Sequence, residues 1–369
     1  MDFLTLLLLY LALFGFASLL CLWPGRNLSH NTYVSWLLHK LTKVVGALLP
    51  VDVRKFLLFL FSYAFYQRNH LFQGLYITLV ALGHWFLLFD TIPFLYAENM
   101  DKNHVFAPML HLVINAILFV VCCYSDPGII NNENQSKYAN VYSYDGVMYK
   151  HGTTCPTCNI AKPARSKHCA FTDRCIHHFD HFCPWTNNAV GGLNHRYFVA
   201  LLISITLMAG NASCMVYQAL HSITQSAQLW SAQYVDKRGV PQPMNLRVLT
   251  QVFFKTLFMK FPTVVFLGAA LTVISLMVGG FTLYHIWLVV SGQTTNERYK
   301  KHRLYNQQGI KIQNLYYNGV LMNIYEEVFP TYFIERCKQR PDLRPSLNNK
   351  IKNGSLKAKS NVEQRKKRR

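Results

Sequence analysis

Acidic residues are scarce in this chain. Its 369 residues hold 17 Asp and Glu against 37 Lys and Arg, a formal net charge of +20. Charge of either sign is absent from five long stretches, residues 3–23, 71–89, 106–124, 197–220 and 264–290. Each has the roughly 20 residues that a helix needs to cross hydrocarbon, which excludes an ordinary soluble domain there. No basic segment precedes the first stretch, only Asp2, and its apolar part is long for a signal peptide; it reads as an uncleaved anchor. Paired intramembrane charges and an internal repeat are also lacking, which argues against a transporter or channel. Residues 57–66 are apolar but short, and they follow Arg54 and Lys55, so they read as interfacial.

The fold class expected is therefore an all-α multi-span membrane protein of about five transmembrane helices. The Lys/Arg bias orients it. Loop 24–70 carries six Lys and Arg and reads as cytosolic; loop 90–105, with Asp90, Glu98 and Asp101 against Lys102, reads as luminal. Residues 125–196 and the tail are then cytosolic and the N-terminus luminal. Loop 221–263 runs against the rule, because it holds Lys237, Arg238, Arg247, Lys255 and Lys260 yet falls on the luminal side. Asn27-Leu28-Ser29 fits a glycosylation sequon that this topology leaves unused in the cytosol. The tail ends RKKRR. A basic end is commonly solvated, and here it can lie against anionic lipid. Lys366 and Lys367 fit the dilysine retrieval pattern of early secretory membranes. A nucleic-acid partner is excluded by placement, since the charge sits on the tail of a multi-span chain.

Ten cysteines are present. Cys21, Cys122, Cys123 and Cys214 lie in or beside apolar runs, where a free Cys behaves as a small apolar residue. Five more, Cys155, Cys158, Cys169, Cys175 and Cys183, crowd into a polar segment assigned to the reducing cytosol. Disulfides are not expected there; metal binding or catalysis is. The C-x2-C pair Cys155 and Cys158 can place two thiolates on one ion, and His168 with Cys175 completes a tetrahedral zinc set. Such a site would supply the folding free energy of a segment with little core. Further on, FDHFCPW puts Asp180, His181 and Cys183 together, a thiol with a base and an orienting carboxylate. The plainer alternatives are chance spacing and a helix cap at Asp180.

This segment resembles the cysteine-rich domain of the DHHC-type protein S-acyltransferases, the palmitoyltransferases. Lys162-Pro163-Ala164-Arg165 matches the family's KPxR turn, and Trp185, Asn187, Asn188, Gly191 and Asn194 match the residues after its DHHC. Asp126-Pro127-Gly128, Thr294-Thr295-Asn296-Glu297, and Gly319 with Asn323 match its DPG, TTxE and C-terminal motifs. The resemblance extends from about residue 106 to 330. It divides the chain into transmembrane helices 1–3 and their loops (1–124), a cysteine-rich domain (125–196), helices 4–5 with a luminal loop and the TTxE motif (197–297), and a basic tail (298–369).

The resemblance implies a two-step reaction. The Cys183 thiolate takes a long-chain acyl group from acyl-CoA, and a cysteine of a membrane-associated protein then removes it. His181 is the implied base and Asp180 its orienting partner. The family generally binds two zincs. Cys155, Cys158, His168 and Cys175 match the first set. The second falls on Cys169, Thr172, Phe182 and Ala189, of which only the cysteine can ligate. One zinc is therefore expected, with Phe182 filling the vacated space. Lys162, Arg165 and Lys167 are candidates for the CoA phosphates, though such residues are more often solvated or fix a loop; Gly279-Gly280 fits close helix approach or ordinary packing; and the intramembrane His84, His111 and His285 are candidates for function or, near span ends, for facing headgroups. The implied setting is an endoplasmic reticulum or Golgi membrane. The alternative function is a catalytically impaired relative that acts as a scaffold or escort for another membrane enzyme there.

Overall fold

The computed structural model describes residues 50–96, 103–229, 234–235, 239–242, 256–309 and 312–339. The first apolar run, the sequon at Asn27, the loop basics Lys237, Arg238, Arg247 and Lys255, and the RKKRR end lie outside the described residues. The chain divides into two units, Met1–Gln67 and Arg68–Arg369. In the first, helix α1 (Val51–Tyr66) follows Pro50 and leaves Phe56, Leu58 and Phe59 exposed.

In the second unit, four helices among the described residues are long and apolar enough to cross a membrane: α2 (Leu71–Tyr96), α3 (Phe106–Tyr124, within a helix that starts at Asn103), α5 (His195–Ser226) and α6 (Pro262–Ser291). A wider turn at Leu87–Thr91 interrupts α2. It lies just ahead of Pro93, which has no N–H for the carbonyl one turn back. Half of the apolar window of α5 is buried against neighbours, compared with 17–22% for the other three, so α5 is the central helix. Its 32 residues span about 48 Å, longer than the roughly 30 Å hydrocarbon layer.

Small and hydroxylated residues let α5 and α6 approach closely. A Cβ on Gly268 would stand 2.9 Å from Val216, and one on Gly279 3.3 Å from Thr206, whereas Gly280 faces open space. Hydroxyl pairs Thr206–Thr282 (3.0 Å) and Ser213–Thr272 (2.8 Å) bridge the same seam. This is the packing expected where lipid offers no hydrophobic gradient between helices. α6 begins at Pro262 and ends at Gly292, whose φ of 62° suits a left-handed helix stop.

Between α3 and α5 the chain forms short elements. Strands β1 (Ile129–Ile130), β2 (Lys167–Cys169) and β3 (Arg174–Ile176) form one antiparallel sheet in the order β1-β3-β2, with the one-turn helix α4 (Gln135–Tyr138) after β1. Strands β4 (His181–Cys183) and β5 (Asn188–Val190) form a hairpin. After α6 come α7 (Thr295–Gln308), α8 (Val320–Val328) and α9 (Pro330–Gln339). Tyr316, Phe333, Ile334 and Cys337 share one core with Tyr138, Val141, Tyr142, Ile160 and Cys175. The C-terminal helices are thus packed onto the cysteine-rich segment. Asn323 of α8 also ties these helices to α6, donating to the Val290 carbonyl at 2.8 Å.

Candidate active site and metal centre

The four predicted zinc ligands meet. One donor atom each from Cys155, Cys158, His168 and Cys175 lies within 4.8 Å of every other. Local structure explains why. The Cys155 N–H donates to the Ile160 carbonyl and the Cys158 N–H to the Cys155 sulfur, which shapes the C-x2-C turn. The β2–β3 register pairs His168 with Cys175. His168 Nδ1 stands 3.3 Å from the Cys158 sulfur and 3.9 Å from that of Cys175. Its Nε2 lies 3.4 Å from the Asp173 carboxylate, the outer partner that fixes a ligating imidazole. Three thiols and one imidazole nitrogen suit zinc in a closed structural site.

Strand alternation sorts the DHFC residues. His181 and Cys183 share one face of β4, and Phe182 takes the other. Phe182 stacks on Phe171, with ring centroids 4.4 Å apart and planes 10° apart, and packs against a cluster that includes Cys169, Ile176, Phe179 and Ala189. Three of the four positions matching the family's second zinc set thus lie in one apolar cluster. The fourth, Thr172, keeps a buried hydroxyl without a hydrogen-bond partner.

On the other face, the His181 Nδ1–H donates to Asp180 Oδ2 at 2.7 Å. Asp180 Oδ1 accepts the Thr295 N–H at 2.6 Å, and its carbonyl accepts the Thr295 hydroxyl at 3.0 Å. Asp180 therefore both orients a histidine and holds the first residue of α7. The alternative of a helix cap at Asp180 does not hold, since a strand follows it and the N-cap of α7 is Thr294; its carboxylate only accepts the first N–H of that distant helix. Burial opposes every charge here, yet the partners outweigh it. Burial pushes the Asp180 carboxyl up, but the hydrogen bond from His181 and the charges of His195 and His181 hold it well below the usual carboxylate range. Burial pushes His181 down, but Asp180 and Cys183 raise it from 6.5 to about 10. The Cys183 thiol is lowered despite burial, first by its hydrogen bond with His181 and then by that group's charge. The arrangement favours a thiolate–imidazolium pair, an activated nucleophile. Cys183 belongs to one buried apolar cluster with Phe119, Cys122, Val190, Phe198, Leu201 and Leu202, which brings side chains of α3 and α5 around it.

Arg165 does not face outward. Its backbone sits at a φ of 64°, and its guanidinium is 1% exposed. Nε and Nη2 fork onto Glu297 at 2.7 and 2.9 Å, Nη2 also donates to the Gly292 carbonyl, and Nη1 lies 3.5 Å from Glu326. Tyr142 and Tyr316 flank the cation at 4.8 and 4.5 Å. This corrects the expectation that Arg165 meets CoA phosphates; the charge is taken up inside the fold. Lys167 and Lys162 are joined by Lys300, whose pKa is brought to about 8 by burial and then by those two lysines.

A model of the family described as DHHC palmitoyltransferase matches residues 148–302. The palmitoyltransferase ZDHHC4 of Bos taurus is 34% identical over 310 residues, covering 83% of this chain and 87% of that one. The protein of the same name from Mus musculus is 31% identical, covering 81% and 85%. Palmitoyltransferase SWF1 of Yarrowia lipolytica is 34% identical over 208 residues, covering 56% and 51%. The chain belongs to the DHHC palmitoyltransferase family. Sequence reasoning missed His195, Glu326 and Glu327, which gather around Asp180 and His178 at a small cavity. His285, which joins His195 and Asp180 in one buried cluster, did carry a signal, as an ionisable residue inside an apolar run.

Proposed function

We propose that this protein is an S-palmitoyltransferase that works through Cys183. The observation that carries the reading is the intact Asp180–His181–Cys183 set, with a 2.7 Å Asp–His hydrogen bond and a thiol held below its ordinary pKa. The Cys183 thiolate attacks the carbonyl carbon of a long-chain acyl-CoA thioester. The carbon–sulfur bond to CoA breaks, and the His181 imidazolium gives its proton to the departing thiolate. A cysteine thiol of a membrane-associated protein next yields its proton to His181, attacks the acyl–Cys183 thioester and releases the Cys183 sulfur, which closes the cycle. Asp180 keeps His181 oriented throughout. The apolar side chains against the sulfur suit an acyl chain, and Lys162, Lys167 and Lys300 suit CoA phosphates.

One zinc, at Cys155, Cys158, His168 and Cys175, supports the site by fixing β2 and β3; its chemistry is structural ligation. The family's second set is replaced by apolar packing around Phe182. The cysteine-rich segment and the tail face the cytosol, in an endoplasmic reticulum or Golgi membrane. A scaffold role is not favoured, because all three reactive side chains are retained in working contact. Incubation with a labelled long-chain acyl-CoA tests the reading. Hydroxylamine-sensitive label on wild type that vanishes in Cys183→Ser is expected; no label on folded, zinc-containing wild type would sink it.

A further inference from the structure

Three helices bring a second set of titratable groups against the Asp180–His181 pair. Glu327 on α8 accepts a hydrogen bond from His195 Nδ1 at 2.7 Å. A carboxylate offers only acceptors, so that nitrogen carries the proton. The other ring nitrogen of His195 faces His285 Nδ1 of α6 at 3.3 Å. Two lone pairs do not face each other at that separation, so a proton lies between the rings. Asp180 completes the group: one donor atom each from Asp180, His195 and His285 lies within 4.8 Å of the others, and all three residues are buried. The His285 ring stands 5.8 Å from that of His181, and Phe198 contacts both, at 5.0 and 5.1 Å.

The charges here do not balance without these histidines. Asp180, Glu326 and Glu327 line a cavity of about 20 Å³, room for one water. Among the neighbouring groups, Arg165 pairs with Glu297 and also reaches Glu326 at 3.5 Å, and His178 is held neutral by burial and by Arg165. His181 serves Asp180 and Cys183. An excess of carboxylate remains, and a further proton on the His195–His285 pair, beyond the one that each neutral ring carries, offsets it.

We infer that His195, clamped by Glu327 and backed by His285, is a positioning residue for Asp180 and His181. The further proton makes the imidazole pair cationic beside Asp180, and this couples the seating of α8 to the reactivity of Cys183. The inference rests on the acyl-transfer reading of the site.

The test measures the rate at which Cys183 of the purified full chain takes hydroxylamine-sensitive label. Acyl-CoA concentration and pH are varied for wild type, Glu327→Gln, His195→Gln, His285→Gln, the Glu327→Gln/His195→Gln double variant and Glu327→Asp. The maximal loading rate is expected to fall about 10-fold in the Gln variants, with the half-saturating acyl-CoA concentration within about 2-fold. The acid limb of the pH profile should move up by roughly one unit, because loss of nearby positive charge makes the thiolate harder to form. The double variant should be no worse than the poorer single one, and Glu327→Asp should recover part of the rate. An unmoved pH profile, a change confined to half-saturation or multiplicative losses would overturn the inference. So would a second bound metal lost in His285→Gln, since the histidines would then be ligands. Glu327→Gln is nearly isosteric; if it loses zinc or aggregates, Glu327 acts only in folding and the inference falls. Wild type that takes no label overturns the acyl-transfer reading, and this inference with it. Wild type that loads beside variants that load alike overturns the inference alone.

Discussion

Arg165 and Glu297 form a two-pronged ion pair across 132 residues, with both side chains at most 1% exposed. Glu297 also closes the capping box of α7, through its own N–H and through the Thr294 N–H. The pair thus ties the cysteine-rich segment to the helix whose first residue holds Asp180. Removing one partner leaves a buried charge unmatched, at a cost of about 3–5 kcal/mol. Arg165→Ala and Glu297→Ala should each lower the unfolding midpoint sharply and abolish loading. Arg165→Lys should rescue neither, since an ammonium cannot fork onto a carboxylate. Thermal unfolding of the detergent-solubilised chain checks this; near-wild-type stability of Arg165→Lys would refute it.

The shifted groups fix a pH dependence. His181 is raised from 6.5 to about 10. A group raised on folding contributes stability that is complete below its unfolded value and is lost as pH rises through the folded one. The Asp180–His181 contribution should thus be full near pH 6 and fade between about 6.5 and about 10. Asp180, held low, loses its share only in strong acid. The unfolding-midpoint difference between wild type and His181→Ala should therefore shrink as pH rises from 6 to 10. A difference that grows over that range would contradict the assignment.

Zinc content separates the two halves of the motif. Cys175→Ala should lose the single zinc and with it the β2–β3 pairing, while Cys169→Ala should keep one zinc per chain. Removal of zinc by a strong chelator should unfold this segment and end loading. Elemental analysis of purified protein, alongside the loading rate, is the readout, and a count of two zincs would be decisive against a single site.

Phe182→His restores the family's histidine without restoring a site, because Thr172 and Ala189 cannot ligate. Zinc content should stay at one, and stability should fall by about 2 kcal/mol through loss of the stack on Phe171. Phe182→Tyr should be milder in the unfolding midpoint. A gain of metal in Phe182→His would show that the second set is still usable.

The clustering of Cys155, Cys158, His168 and Cys175 was legible in the sequence because its geometry is local: a C-x2-C turn and one hairpin register bring all four together. The transmembrane runs were legible because hydrocarbon forbids charge over a fixed length. Arg165 was misread for the opposite reason. A basic residue beside Lys162 and Lys167 looks solvated until Glu297, 132 positions on, is folded against it. His195 and Glu327 were invisible in the same way, since nothing near either residue points to the other.

Because β4 faces two ways, its tetrapeptide carries two separable traits. Substitutions at position 182 are read by folding yield, those at 183 by turnover, and those at 181 by both. A library randomised at 182 and 183 alone should accordingly split into two uncorrelated phenotypes, well-expressed inert chains and poorly expressed active ones, with the side of the strand deciding which.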